Sequence, residues 1–180
     1  MGGATIIMLL MLFVGFSEID AASSKRQTGP APGTLAYLDA KNGFRDLTFG
    51  DPPTPEMDLV TDAGDLKTYV RPSDDLTLGG AQLQTIGYRF YKDRLYSVVI
   101  IAKGYANGVA ILEVLRQAYG KGEQPNQFLD EFLWRGRRVW VLYGRQRVTE
   151  TTDVLWQSVP LDRERQAAEK DKAKKGVDGL

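Results

Sequence analysis

Hydrophobic and polar positions alternate most clearly from Leu83 to Ala102, where Ile86, Tyr88 and Phe90 alternate with Gly87, Arg89 and Tyr91. A period of two puts one side of a strand against a core and turns the other away from it. Leu95 to Ala102 continues as an apolar, β-branched run, and Tyr91-Lys92-Asp93-Arg94 supplies a polar turn between the two halves. The segment therefore predicts an antiparallel hairpin. The period then changes. Ile111, Leu112, Leu115, Ala118 and Tyr119 form one stripe of a helix, with Asn107 suited to cap its start and Gly120 its end. That helix should lie across the apolar face of the hairpin.

A second meander follows, with strands expected over Phe128 to Trp134, Arg138 to Arg147 and Asp153 to Val159. Arg135-Gly136-Arg137 makes the first connection and Val148 to Thr152 the second. Pro160 stops the last strand, and Asp162 can cap a helix from Arg163 to Lys175 that ends at Gly176. Its apolar residues are Ala167, Ala168 and Ala173, so it reads as a solvated tail. Upstream, Leu47 to Gly50 and Leu66 to Arg71 are strand candidates, and Thr54 with Pro55 can open a brief helical turn. The fold class expected is α+β. An antiparallel sheet of about five to seven strands, built from hairpins, packs on one amphipathic helix and is followed by a polar C-terminal helix.

The N-terminal end has a different pattern. Ile6 to Phe16 is an unbroken apolar run, shorter than the roughly 20 residues that cross a bilayer, and Ala21-Ala22-Ser23 offers small residues for cleavage. Residues 1–23 are read as an export signal, although the stretch before the run carries no Lys or Arg. Residues 24–37, rich in Gly, Pro and Ser, read as a flexible linker. The α+β domain is then expected over 38–161 and the polar tail over 162–180.

Composition narrows the chemistry. The 180 residues include no cysteine and no histidine. Zinc sites of the usual kind, Ser-His or Cys-His nucleophiles and disulfides are thereby excluded, as is a lipid anchor on a cysteine after the signal. A cysteine-free exported chain points to a bacterial envelope, periplasmic or secreted. Formal net charge is zero, which disfavours a dedicated nucleic-acid binder. Acids from Asp46 to Asp75 and arginines from Arg135 to Arg147 sit in separate segments that can face each other across one fold.

The candidate binding surface is Trp134, Arg135, Arg137, Arg138, Trp140, Tyr143, Arg145 and Arg147, guanidiniums interleaved with aromatics on one hairpin. Alternation weighs against a purely basic face, since Val139, Val141 and Tyr143 share one side and Trp140 and Leu142 the other. Asp74-Asp75 and Asp130-Glu131 are adjacent pairs whose side chains point to opposite faces in a strand, so neither forms an acid/base couple by spacing. Asp62-Ala63-Gly64-Asp65 lacks the spaced acids of a calcium loop and reads as a surface turn. Gly104 to Gly108 reads as a turn into the helix rather than an anion site. No catalytic residue, metal site or cofactor is assigned.

Asn42-Gly43-Phe44-Arg45 with Phe49-Gly50, then Ile86 to Val98, then Tyr119-Gly120-Lys121, then Trp134 to Val139 resemble a family of uncharacterised bacterial exported α+β domains. The resemblance covers roughly Leu38 to Leu161. It implies an antiparallel sheet on a helix and an envelope location, and it assigns no role to any residue. The function expected is a non-catalytic envelope domain that binds an envelope protein or an anionic envelope polymer. The alternative is a carboxylate-dependent hydrolase of envelope glycans.

Overall fold

The structure is a computed structural model that describes residues 29–177, with side chains through residue 175. The segment read as an export signal lies outside the described residues, as does the linker up to residue 28. Elements follow in the order α1 (Leu35–Lys41), β1 (Gly43–Phe44), β2 (Leu47–Thr48), β3 (Asp58–Ala63), β4 (Leu66–Val70), β5 (Thr77–Leu78) and β6 (Ala81–Tyr91). Then come β7 (Arg94–Lys103), α2 (Tyr105–Tyr119), β8 (Asp130–Arg135), β9 (Val139–Gln146), β10 (Thr151–Ser158) and α3 (Val159–Val177). Among the described residues no helix is long and apolar enough to cross a membrane.

The architecture is α+β, as expected. An eight-stranded sheet runs β3-β4-β6-β7-β10-β9-β8, with β5 paired to the start of β6, and its neighbouring strands are antiparallel. The hairpin of β6 and β7 forms where alternation placed it. Lys92 and Asp93 both take positive φ, 50° and 55°, the twist that a two-residue hairpin turn requires. On the inner face Ile86, Tyr88, Phe90, Val98 and Ile100 meet Ile111 and Leu115 of α2 in one core. Helix α2 carries the chain from β7 to the far edge, and the β8-β9-β10 meander returns to pair β10 with β7.

Several boundaries differ from the sequence expectations. Helix α1 begins inside the segment read as linker. Thr34 caps it by accepting the Tyr37 N–H at 3.1 Å, the Gly33 N–H reaches the Ala118 carbonyl at 2.8 Å, and Leu38 is fully buried. Helix α2 starts at Tyr105 rather than after Asn107, because Gly104 with φ 93° turns the chain earlier. Asn107 instead accepts the Gln82 N–H at 3.0 Å and donates to the Lys103 carbonyl at 2.8 Å, tying the helix to both strands of the hairpin. Gly120, with φ 91°, ends the helix as expected.

Helix α3 starts at Val159, directly after β10, and is not a solvated tail throughout. Leu161 packs with Tyr91 and Tyr96 in a small second cluster on the outer face of the sheet. Asp162, nearly buried, accepts from Arg165 at 2.7 Å and from Gln166 at 2.7 Å. Arg94 pairs with Glu164 at 2.7 Å. Farther along, Lys172 lies 3.7 Å from Asp65, so the helix is docked over the β4-β6-β7 side of the outer face and leaves the part toward β8 open.

Candidate functional site

Strands β8 and β9 carry the Arg/Trp hairpin, and their alternation divides it. Trp134 and Tyr143 point inward and are each 1% exposed. Trp134 donates its indole N–H to the Gly120 carbonyl at 2.8 Å, and Tyr143 donates its hydroxyl to the Gly108 carbonyl at 3.0 Å. Burial raises the Tyr143 pKa. Both are core residues with their polar tips satisfied, so neither is available to a partner.

Arg145 and Arg147 converge on Asp130. Arg147 makes two hydrogen bonds of 3.0 Å to it, and Arg145 forms the second ion pair while its guanidinium lies 4.6 Å from the Tyr105 ring centroid. The Arg147 hydrogen bond and both charges hold the Asp130 carboxyl below the usual carboxylate range. These two cations fasten the end of the hairpin. Of the eight residues proposed from sequence, Arg135, Arg137 and Arg138 are exposed and lie outside that cluster, Trp140 is half-buried, and Arg147 is exposed but engaged by Asp130.

The turn that presents them is fixed from α1. Asp39 accepts the backbone N–H groups of Arg137 and Arg138 at 2.8 Å each and that of Val139 at 3.2 Å. With the backbone amides held, the Arg137 and Arg138 side chains project into solvent. Arg135 is exposed and lies 3.7 Å from Glu123, a rim contact of small energetic weight.

Trp140 belongs to the open outer face. Register places Val99, Leu155, Leu142 and Leu133 side by side across β7, β10, β9 and β8. All four are half-buried, so an apolar row crosses the sheet where α3 does not reach. Between this row and the first turn of α3 lies a groove of about 450 Å³, lined by Leu133, Trp140, Leu142 and Val159 with Arg135 and Arg163. Leu133, Val159 and Arg163 were missed by the sequence reading. The strands did carry a signal, since a strand that is apolar on both faces needs cover on both.

On the other side of the row, Glu131 and Asp153 each pair in register with Gly144 and flank it on the open face. With no side chain between them, the Asp153 carboxyl lies over the glycine. Desolvation first, and then the charge of Glu131, raise its pKa. The adjacent acids are separated as expected: Asp130 faces inward to its arginines and Glu131 outward. Asp74 is held by Arg71 at 2.8 Å and by the Tyr88 hydroxyl at 2.7 Å, while Asp75 accepts from Thr77. Asp62 accepts the Gly64 N–H at 2.9 Å in the β3-β4 turn. Among the described residues no group of three or more acids could hold a metal ion.

No family model and no curated protein matches the sequence. Among solved structures, the chain is similar to a DUF4309 family protein, YjgB, from Bacillus subtilis. The TM-score is 0.32 and the identity 18%, over 61% of this chain and 72% of that one.

Proposed function

We propose that this protein is a non-catalytic, exported binding domain of the bacterial envelope, and that it holds an envelope component on its open sheet face. The observation that carries the reading is the half-buried apolar row of Val99, Leu155, Leu142 and Leu133, open beside Trp140, with Arg135 and Arg163 on the groove next to it and Arg137 and Arg138 exposed in the adjoining turn. Apolar floors with a few charged groups at the rim are the usual make-up of binding surfaces. Changing Arg135, Arg137 and Arg138 together to Ser tests it. The side chains are exposed and the turn is held through backbone amides, so the fold is expected to survive and retention of envelope components to fall. Equal retention by variant and wild type would rule out the role of this hairpin.

A second reading, a carboxylate-dependent hydrolase of envelope glycans, is favoured by one observation. Glu131 and Asp153 flank Gly144 on the same open face, and the Asp153 pKa is raised by desolvation and by the neighbouring Glu131 charge, the direction that suits a proton donor. Glu131→Gln and Asp153→Asn, assayed on solubilised envelope glycans, separate the two readings. Glycan release lost in both variants supports the hydrolase, and absence of release by the wild type removes it.

A further inference from the structure

The groove beside Trp140 has a lining that narrows its occupant. Its floor is Leu133, Leu142 and Val159 with the Trp140 ring, and the charged side chains along it, Arg135 and Arg163, are both cationic. The volume, about 450 Å³, is that of a small-molecule site. A peptide added as a strand would need the backbone groups of the β8 edge. At Leu133 these are already used: its N–H donates to the Glu123 carbonyl and its carbonyl accepts the Glu123 N–H, both at 2.8 Å. The surface thus offers apolar contact and positive charge, with the backbone hydrogen bonds of the adjoining edge closed at that point.

We infer that the groove takes a single-chain anionic amphiphile, a long-chain carboxylate whose alkyl chain lies along Leu133, Leu142 and Val159 and whose head sits between Arg135 and Arg163. This rests on the reading of the open face as the binding surface and names its ligand class. Methylenes gain by leaving water and ask nothing of the Leu133, Leu142 and Val159 side chains. A guanidinium matches a carboxylate with two parallel hydrogen bonds, and Arg135 and Arg163 are the two cations on the groove's lining. Because both arginines are at the rim, the contribution of the head weakens with salt, while that of the chain does not.

Calorimetric titration of the full chain with decanoate, dodecanoate and tetradecanoate, each below its micelle concentration, tests this. Saturable binding at one site is expected, about tenfold tighter for each added pair of methylenes. Dodecanol should bind about tenfold more weakly than dodecanoate. Arg135→Ser with Arg163→Ser should weaken dodecanoate to the level of dodecanol and leave dodecanol unchanged. Leu142→Glu, checked for folding by circular dichroism, should abolish both. The double arginine variant, exposed at both positions, keeps the test open if Leu142→Glu does not fold.

Absence of saturable binding, equal affinity for dodecyltrimethylammonium, or binding that persists in a folded Leu142→Glu variant would overturn the inference. So would adsorption to vesicles of anionic phospholipid with no affinity for free carboxylates, which would assign the arginines to a membrane surface. If the carboxylates fail while the Arg135, Arg137 and Arg138 variant still loses envelope components that the wild type retains, the ligand class falls and the binding face stands. If both fail, both fall.

Discussion

The carboxylate of Asp39 accepts the backbone N–H of Arg138 at 2.8 Å, joining helix α1 to the β8-β9 turn across 99 positions of sequence. With Arg137 and Val139 bonded to the same side chain, the turn that carries the surface arginines is held by a residue on a helix of only seven. Asp39→Ala should therefore lower stability by about 1 to 2 kcal/mol, since it strips an acceptor from several amides at once. Urea denaturation measures the loss. Amide exchange should speed up at Arg137 and Arg138 before it does in β6 or β7; uniform acceleration would mean that Asp39 does not act on the turn.

Helix α2 lies close against the sheet at Gly108, where an added Cβ would lie 2.5 Å from the Thr152 hydroxyl and 2.9 Å from Arg145 Cδ. An alanine in a helix interior is ordinarily favoured over glycine by up to about 1 kcal/mol. At Gly108 the overpacking dominates, and Gly108→Ala should destabilise by about 1 to 3 kcal/mol in thermal or urea unfolding. A stabilised variant would show that the helix can lift off the sheet at little cost.

Asp130, held by Arg147 and Arg145, has a pKa below its ordinary 3.8. Its ion pairs stabilise the fold fully above that ordinary value and are lost as pH falls through the lower, folded-state value. The stability difference between wild type and Asp130→Asn should accordingly be constant from neutral pH down to about pH 5 and shrink below it. A difference that persists at the acid limit would assign Asp130 to packing rather than charge.

Asp153 has the opposite sign. Its pKa is raised by desolvation and by Glu131, so ionisation at neutral pH costs stability that protonation restores. Asp153→Asn should stabilise the fold at pH 7, and the gain should disappear below the ordinary carboxylate pKa of 3.8, where Asp153 is protonated in both states. Glu131→Gln should abolish part of the same gain, because the two mutations remove one repulsion. Additive effects would show that the two carboxyls do not sense each other across Gly144.

Much of the fold was legible because it rests on local periodicity. The β6-β7 hairpin, the stripe of α2 ending at Gly120, and the β8-β9-β10 meander formed where alternation and turn residues placed them. Helix α1 was not legible. It is short, its apolar anchor is chiefly Leu38, and its Thr34 cap follows a Gly/Pro-rich stretch. Strand β3 was missed for a related reason: Asp58–Ala63 is exposed along its whole length and carries no alternating pattern.

The site divides in the same way. Inward placement of Tyr143 with Val139 and Val141 followed from parity. Capture of Arg145 and Arg147 by Asp130 did not, because the partner lies on the neighbouring strand and only register brings it opposite. The groove was invisible because one of its walls is the first turn of α3, where Val159 and Arg163 belong to a segment that periodicity assigned to a strand end and a solvated helix.

The central claim is that the open sheet face is the binding surface, and site-specific photo-crosslinking in intact envelopes tests it most directly. A photoreactive side chain at Trp140 or Leu142 should give a discrete adduct that weakens when Arg135, Arg137 and Arg138 are changed to Ser, while the same probe at Leu59, exposed on the far edge strand β3, should give none. An adduct from Leu59 with none from Trp140 or Leu142, or adducts from Trp140 unchanged by the arginine substitutions, would contradict the account.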